Sequence, residues 1–244
     1  MQTPPLSLRL IVIAVWLISG FIGVPPAYSP AVGSASPSAP GATYWVTPDG
    51  QADWASCRGA SPLNGASACA LSTANANAAA GDTVYLRGGT YSNQQIEPSN
   101  SGASDSNRIV YASYNQEEVT LRDSAYGIYL YKKSYITVNG INFYSLRRFM
   151  RIYASHYNTI SYCNFDTRSP ESGDWVGALI ADDFNDSTPA SENSTYNWVH
   201  HSTFYRWAYG YYSDHRGWLI YIGSWDDDPV DESGYNLIED NIFA

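Results

Sequence analysis

The stretch Tyr135–Phe143, YITVNGINF, is the first of four copies of one pattern in this chain. The pattern returns as YNTISYCNF at 157–165, YNWVHHSTF at 196–204 and YNLIEDNIF at 235–243. Each copy opens with Tyr, carries Val or Ile five residues before a closing Phe, and has polar residues or Gly in its middle. The chain therefore contains an internal repeat, and the spacing of its copies decides the fold.

The copies begin 22, 39 and 39 residues apart, and the two longer intervals indicate the same unit with an inserted loop. A period of about 20 residues is typical of a solenoid. Short β-rich runs such as Ile128–Tyr131 and Leu219–Ile222 precede each copy, and no segment of helical period separates them. We therefore predict a parallel β-helix that begins near Thr43.

Stacking of the units turns each repeated position into a column, with about 4.8 Å between neighbours. The opening Tyr residues are expected to form one such ladder and the closing Phe residues another. Asn158, Asn197 and Asn236 fall in a third column, where side-chain amides hydrogen-bond from unit to unit. Cys163 shares the column of Ile141, so we expect a small buried core residue there rather than a nucleophile.

The charge balance is strongly acidic, with 13 Lys+Arg against 23 Asp+Glu and a formal net charge of −10. A nucleic-acid-binding surface needs a basic footprint, so we predict no nucleic-acid partner. Aromatic residues make up 15% of the chain, which includes 21 Tyr and 8 Trp. Exposed aromatic rings on a polar scaffold favour a sugar ligand.

The N-terminal residues predict export. An apolar run, Leu10–Val24, follows Arg9 and precedes the small residues Ala27 and Ser29. This order is typical of a secretory signal peptide, which we place at 1–29. An uncleaved anchor is the alternative, although the run is shorter than the roughly 20 apolar residues that a spanning helix needs.

Three segments follow from this N-terminal pattern. We predict a signal peptide at 1–29, a Pro/Ala/Ser-rich linker at 30–42 and a β-helix domain at 43–244. The protein is then secreted and extracellular, without membrane contact after cleavage of the signal. Its oligomeric state is left open.

Two features near the start of the predicted domain concern its stability. A disulfide between Cys57 and Cys69 would brace a loop of small and polar residues that has little core of its own. Ala70–Ala80 is rich in Ala and Asn and predicts a short helix, which would cover the open end of the first unit.

The entry YWVTPDG at Tyr44–Gly50, this Ala-rich helix and the stretch GDTVYLRGGTY at Gly81–Tyr91 resemble the start of secreted pectate-lyase-like proteins. The resemblance implies right-handedness. The predicted fold class is therefore all-β: a single-stranded right-handed parallel β-helix with a short N-terminal capping helix.

A narrower likeness covers Ile109–Phe243, whose order of short and loop-bearing units is similar to the chondroitinase B and alginate lyase family, polysaccharide lyase family 6. The likeness lies in the segments 157–160, 220–224 and 238–243. Where that family commonly has Ile-Arg-x-Gly, this chain has Ile220-Tyr221-Ile222-Gly223, with one basic residue fewer. The resemblance implies β-elimination on an acidic polysaccharide: a metal neutralises the uronate carboxylate, and a basic side chain removes the C5 proton.

In that family the calcium-binding acidic residues and the catalytic Lys and Arg follow a segment like Glu239–Phe243, whereas this sequence ends at Ala244. We therefore expect a C-terminally truncated lyase whose own catalytic residues are unknown and which is inactive alone. Two alternatives stay open: a non-catalytic glycan-binding β-helix, and a structural or adhesion repeat protein.

The candidate substrate-binding residues come from two places. In the strands that precede each copy, period-two alternation turns Tyr129, Tyr131, Arg151, Tyr153 and Tyr221 outward, and the alternative is that they are ordinary sheet-surface residues. The segment 206–218 combines flat rings with charges that can pair with a uronate, and its alternative is loop packing. Its candidate residues are Arg206, Trp207, Tyr209, Tyr211, His215, Arg216 and Trp218.

Acidic residues suggest a calcium site. Asp226, Asp227, Asp228 and Asp231 offer the hard oxygen ligands that Ca²⁺ takes, but adjacent Asp residues cannot all face one ion, and a solvated acidic loop is the alternative. His215 falls roughly where the lyase family has an Asn ligand.

Two pairs of adjacent basic residues are expected to have structural roles. His200-His201 is expected to contact a carboxylate of the next unit, in Glu239-Asp240, which needs no catalytic role. Arg147-Arg148 is expected to lie in a charged turn.

Overall fold

The computed structural model of this chain describes residues 41–166, 176–181, 193–205, 218–223 and 233–244. Within these residues most regular structure is β-strand, and every pairing between named strands is parallel. The described part has one α-helix, α1 at Leu71–Asn77, and two short 3-10 helices, Gly65–Ser67 and Tyr114–Gln116. The predicted all-β class is confirmed.

The strands, numbered along the chain, form three sheets. Sheet A contains β1 (Thr43–Val46), β2 (Thr83–Leu86), β4 (Ile109–Ser113), β7 (Ile136–Asn139), β10 (Thr159–Ser161), β13 (Trp198–His200) and β16 (Leu237–Glu239). Sheet B contains β3 (Gly89–Ser92), β5 (Val119–Arg122), β8 (Asn142–Tyr144), β11 (Asn164–Asp166), β14 (Thr203–Tyr205) and β17 (Ile242–Phe243). Sheet C contains β6 (Tyr126–Tyr131), β9 (Arg148–Tyr153), β12 (Val176–Ala181) and β15 (Trp218–Ile222).

From β4 onward the strands belong to sheets A, B and C in strict rotation. Each copy of the repeated pattern supplies one strand of sheet A and one of sheet B, and the β-rich run before it supplies the strand of sheet C. Successive strands of a sheet pair in parallel, so residues at the same position of the repeat become neighbours.

The aromatic ladders predicted from the repeat are confirmed. Ring centroids lie 4.8 Å apart for Phe143 and Phe165, and 4.9 Å apart for Phe165 and Phe204, with planes tilted by 6° in both pairs. Tyr157 and Tyr196 are 5.0 Å apart, with planes tilted by 2°. The three Phe side chains are buried in the hydrophobic core, where they line sheet B.

The Tyr ladder lies at a corner of the chain with an unusual backbone. Tyr135, Tyr157, Tyr196 and Tyr235 precede strands of sheet A, and their φ angles are 57°, 56°, 56° and 56°. This left-handed region is uncommon for bulky residues, and each such residue costs on the order of 1–3 kcal/mol. The regular stacking of the rings helps to offset that cost.

The predicted Asn ladder is confirmed directly after these tyrosines. Asn158 and Asn197 are fully buried, and Nδ2 of each donates to Oδ1 of the next Asn at 2.9 and 3.0 Å. A second column, of serines, also links the units through side chains: Ser194 Oγ accepts a hydrogen bond from Ser155 N at 3.2 Å. Side chains therefore satisfy buried backbone groups at this corner.

The N-terminal part of the fold contains a disulfide and the helix α1. Cys57 and Cys69 form a disulfide with 5.5 Å between their Cα atoms. Leu71 and Ala74 of α1 are buried in the core, so the predicted short helix is present. Among the described residues, no helix has the length and apolar character required to span a membrane.

Cys163 is fully buried in the core, as its place in the column of Ile141 predicts. Burial raises the pKa of its thiol to about 12, so the thiolate needed by a nucleophile is disfavoured. Its backbone N–H donates to Ser202 Oγ at 3.2 Å in the next unit.

Candidate functional site

The outer side of sheet C carries the aromatic and basic residues that the sequence pattern indicates. On β6, Ile128 and Leu130 are fully buried, whereas Tyr129 is half-buried and Tyr131 is 40% exposed. The predicted period-two alternation is confirmed on this part of the strand. The aromatic side chains thus lie on the face opposite the core.

The backbone register aligns the predicted outward positions in one row. Tyr129 pairs with Arg151, Arg151 pairs with Leu179, and Leu179 pairs with Tyr221. The row crosses all strands of sheet C, and at the usual separation of about 4.8 Å it is roughly 14 Å long. Trp218 begins the last of these strands.

Arg151 and Tyr153 are covered, with only 3% and 8% of their surfaces exposed. Arg151 donates from Nη1 to the carbonyl oxygens of Met150 and Gly177, at 2.9 and 3.4 Å. Burial raises the pKa of Tyr153 to about 12, against the opposing effect of the Arg151 charge. Contact of these two side chains with a ligand stays a prediction, whereas their packing against the sheet is observed.

Two further residues lie on this face that the alternation does not predict. Tyr126 and Arg148 begin β6 and β9, and both are half-buried. The alternation breaks beside each of them, because Gly127 and Ile128 both turn inward on β6 and Phe149 and Met150 are both buried on β9. Arg148 donates from Nη1 to the Tyr126 hydroxyl at 3.2 Å. The prediction that Arg148 lies in a turn is therefore wrong. The adjacent apolar residues Phe149-Met150, incompatible with strict alternation, were the available signal.

These residues form what we call the sheet C face, defined as Tyr126, Tyr129, Tyr131, Arg148, Arg151 and Tyr153. The Tyr126 ring lies 5.8 Å from the Arg148 guanidinium and 5.9 Å from that of Arg151, and its centroid is 5.1 Å from that of Tyr129. Such cation–π contacts fix the rings and keep positive charge close to them. Arg151 and Tyr153 are covered, so the partly exposed surface of the face comes from Tyr126, Tyr129, Tyr131 and Arg148.

The other candidate residues fall largely outside the described residues. This holds for Arg206, Trp207, Tyr209, Tyr211, His215 and Arg216, and for the calcium candidates Asp226, Asp227, Asp228 and Asp231. Among the residues that the structure does describe, no group of three or more His, Cys, Asp or Glu side chains could hold a metal ion. The calcium site stays a prediction.

The His pair lies at the end of β13, away from the sheet C face. His201 Nε2 is 3.9 Å from Asp240 Oδ2 of the next unit, so the predicted contact with a carboxylate is confirmed. His200 stacks on Trp198 with centroids 3.8 Å apart, and its Nδ1 lies 2.8 Å from Nδ1 of His201. Burial, and then the charge of His201, lower the pKa of His200. This arrangement is explained by packing alone.

Comparison with known proteins gave no relative. No family model matches the chain, no curated protein matches its sequence and no solved structure matches its fold. The resemblance to polysaccharide lyase family 6 therefore stays a prediction, and the function has to be inferred from the geometry of the chain.

Proposed function

We propose that this protein is a secreted carbohydrate-active protein that binds an acidic, uronate-containing polysaccharide across the sheet C face. The observation that carries the proposal is the cation–π contact of Tyr126 with the half-buried Arg148, at 5.8 Å, with the Tyr129 ring beside it at 5.1 Å. Pyranose rings stack on flat aromatic side chains, and guanidinium groups bind carboxylates through charge-assisted hydrogen bonds.

The distribution of charge supports an anionic ligand. Five of the 13 basic residues fall between 132 and 151, in a chain whose formal net charge is −10. Positive charge is therefore concentrated around β6 and β9, although the protein as a whole is acidic. Electrostatic attraction at such a local patch guides an anionic polymer to one face of the molecule.

We propose that the three sheets are the faces of a right-handed parallel β-helix with α1 as its cap. The strict rotation among sheets, the parallel register and the stacked ladders support this architecture. Crossovers between parallel strands of one sheet are right-handed in about 98% of cases, which supports the hand. Such a fold offers an elongated face that suits a polymer.

Secretion is proposed from the signal-like N-terminus, and the Cys57–Cys69 disulfide supports it, since disulfides persist in oxidising compartments. The elimination reaction is a further part of the proposal and rests on the resemblance to polysaccharide lyase family 6. The non-catalytic glycan-binding protein is the rival function.

The binding proposal is tested by measuring affinity for alginate, dermatan sulfate and polygalacturonate, with neutral dextran as the control polymer. Arg148→Gln should weaken binding to the uronate polymers by about tenfold, because it removes one charge-assisted contact. Arg122→Gln removes the same charge from sheet B and should leave affinity unchanged. Tyr129→Ala should also weaken binding, because it removes a stacking surface, and Tyr205→Ala on sheet B is its matched control.

Equal binding of dextran and the uronate polymers, or equal losses in Arg148→Gln and Arg122→Gln, would contradict the proposal. The same samples are then incubated with added calcium and monitored for the ultraviolet absorbance of an unsaturated uronate product. Binding accompanied by this absorbance supports a lyase, and binding without it supports the glycan-binding rival.

A further inference from the structure

A cleft of about 560 Å³ opens between α1 and β6, at the edge of sheet C where the sheet C face begins. Ser72 and Asn75 of α1 form one wall, and the segment Glu97–Ser99 forms the other. Tyr129 and Tyr131 line it from the strand. Because Tyr129 also belongs to the sheet C face, the cleft is continuous with that face.

The second wall is fixed to the strand by backbone hydrogen bonds. Ile96 pairs in parallel with Ile128, and Ile96 O accepts from Tyr129 N at 2.9 Å. Asn75 holds the same segment to α1, since its Oδ1 accepts from Glu97 N at 3.3 Å. The cleft is therefore formed by rigid elements and does not need to be assembled by a ligand.

Lys133 lines this cleft, and both its backbone N–H and its backbone carbonyl are hydrogen-bonded. Its N–H donates to Ser155 Oγ at 2.9 Å, and its carbonyl accepts from Asn158 Nδ2 at 3.0 Å. Its ammonium donates to Ser99 O at 2.7 Å. A lysine ammonium has three N–H donors, so two remain for a ligand. The two backbone anchors belong to the Ser and Asn columns, so the point from which the Lys133 side chain extends is fixed by the repeat.

The ammonium group of Lys133 gives the cleft a local positive charge that favours an anionic group beside it. The chain contains two lysines, Lys132 and Lys133. Lys133 lines the cleft, and Lys132 Nζ lies 5.4 Å from the centre of the ring of Tyr131, another lining residue. The carboxylate that lines the cleft, that of Glu97, is exposed and accepts from Gln95 Nε2 at 2.7 Å. The lining of the cleft thus carries one ammonium group, that of Lys133, and one carboxylate, that of Glu97.

We propose that this cleft is a binding subsite for one uronate residue of the polysaccharide, with Lys133 as the residue that binds its carboxylate and Tyr131 as the surface on which the sugar ring packs. The inference rests on the proposed function, because the same chain of sugars would continue onto the sheet C face through Tyr129. It adds a subsite, at the helix-capped edge of the sheet, that extends the binding surface beyond β6.

The test uses the full chain and two matched ligands: an oligouronate, and the same oligosaccharide with its carboxyl groups reduced to alcohols. Affinities are measured calorimetrically for wild type, Lys133→Gln, Lys133→Arg and Glu97→Gln, with Arg122→Gln as the control for loss of one positive charge on sheet B. Thermal unfolding of each variant shows whether it is folded.

Lys133→Gln should weaken oligouronate binding about tenfold, because it removes the charge-assisted hydrogen bond to the carboxylate. Lys133→Arg should largely retain binding, because Arg keeps the positive charge. Glu97→Gln should strengthen binding severalfold, since it removes a like charge near the ligand carboxylate. The reduced oligosaccharide should respond to neither substitution. Opposite effects of two isosteric or near-isosteric changes would not arise from a loss of folding.

Three outcomes would overturn the inference. If wild type binds the oligouronate and Lys133→Gln binds it equally well, the subsite is wrong while the proposed function stands. If Lys133→Gln weakens both ligands equally, the residue does not bind a carboxylate. If wild type binds no oligouronate at all, the proposed function fails, and the subsite fails with it.

Discussion

Asn158 and Asn197, 39 residues apart in sequence, are joined by a hydrogen bond of 2.9 Å from Nδ2 to Oδ1. The same Oδ1 accepts from the backbone N–H of Asn158 at 3.1 Å. One buried amide oxygen thus satisfies two donors of the preceding unit, and Asn197 Nδ2 donates onward to Asn236 Oδ1 at 3.0 Å. The ladder ties each unit to the next through side chains as well as through the sheets.

We expect Asn197→Ala to destabilise the fold by about 3 kcal/mol, because it leaves the buried Asn158 N–H without its acceptor and removes several hydrogen bonds. Chemical denaturation measures this free energy. Asn164→Ala is the matched control, since Asn164 Nδ2 also donates to an Asn oxygen of a neighbouring strand, Asn142 Oδ1 at 2.8 Å, but in an exposed position. The control should cost less than about 1 kcal/mol. Equal losses in the two variants would contradict a special role for burial.

The accessibility of the thiols provides a second prediction. Cys57 and Cys69 are paired, and the free Cys163 is buried with its pKa raised to about 12. A thiol reagent at neutral pH should therefore label the native chain very slowly. Unfolding without reductant should expose one thiol, and unfolding after reduction should expose all 3 cysteines of the chain. Rapid labelling of the native protein would show that Cys163 is accessible rather than packed in the core.

The His pair predicts a pH-dependent contribution to stability. The pKa of His200 is lowered by its burial and by the charge of His201. Because the folded-state pKa lies below the unfolded value of about 6.5, the unfolded state binds more protons as the pH falls. The contribution is thus present above pH of about 6.5 and is lost as the pH falls toward the folded-state pKa.

Comparison of wild type with His200→Gln isolates this effect. The stability advantage of wild type should shrink between pH of about 7.5 and about 5.5, since protonation also turns the neutral acceptor nitrogen of the His200–His201 contact into a donor. Thermal unfolding over this range measures it, and Asn164→Ala should show a difference from wild type that does not vary with pH. An advantage of wild type that grows on acidification would contradict a lowered pKa for His200.

The repeat pattern is sufficient to predict the columns of the fold. Tyr and Phe recur at fixed places in all four copies, and Asn does so in the last three. Parallel pairing converts equal places into neighbours, so Phe143 and Phe165 had to stack once the strands paired. The alternation of Ile128 and Leu130 with Tyr129 similarly predicts which side of β6 faces the core.

Other features depend on information that these patterns do not contain. The left-handed φ of Tyr157 is imposed by the corner it occupies, and Tyr has no intrinsic preference for that region. The alternation breaks at Gly127 on β6 and at Phe149 on β9, which places Tyr126 and Arg148 on the sheet C face. Arg151 is only 3% exposed, and the period of two indicates the side of the strand on which a side chain lies but not how far that side chain is covered.

The central claim is that the sheet C face binds a uronate polymer, and the most direct measurement is a crystal structure of the full chain with a short oligouronate. The account predicts sugar rings packed against Tyr126 and Tyr129, with carboxylates within hydrogen-bond distance of Arg148 and of Lys133 Nζ. An oligouronate bound instead on the outer side of sheet A or sheet B, or a sheet C face that stays empty at saturating ligand, would contradict it.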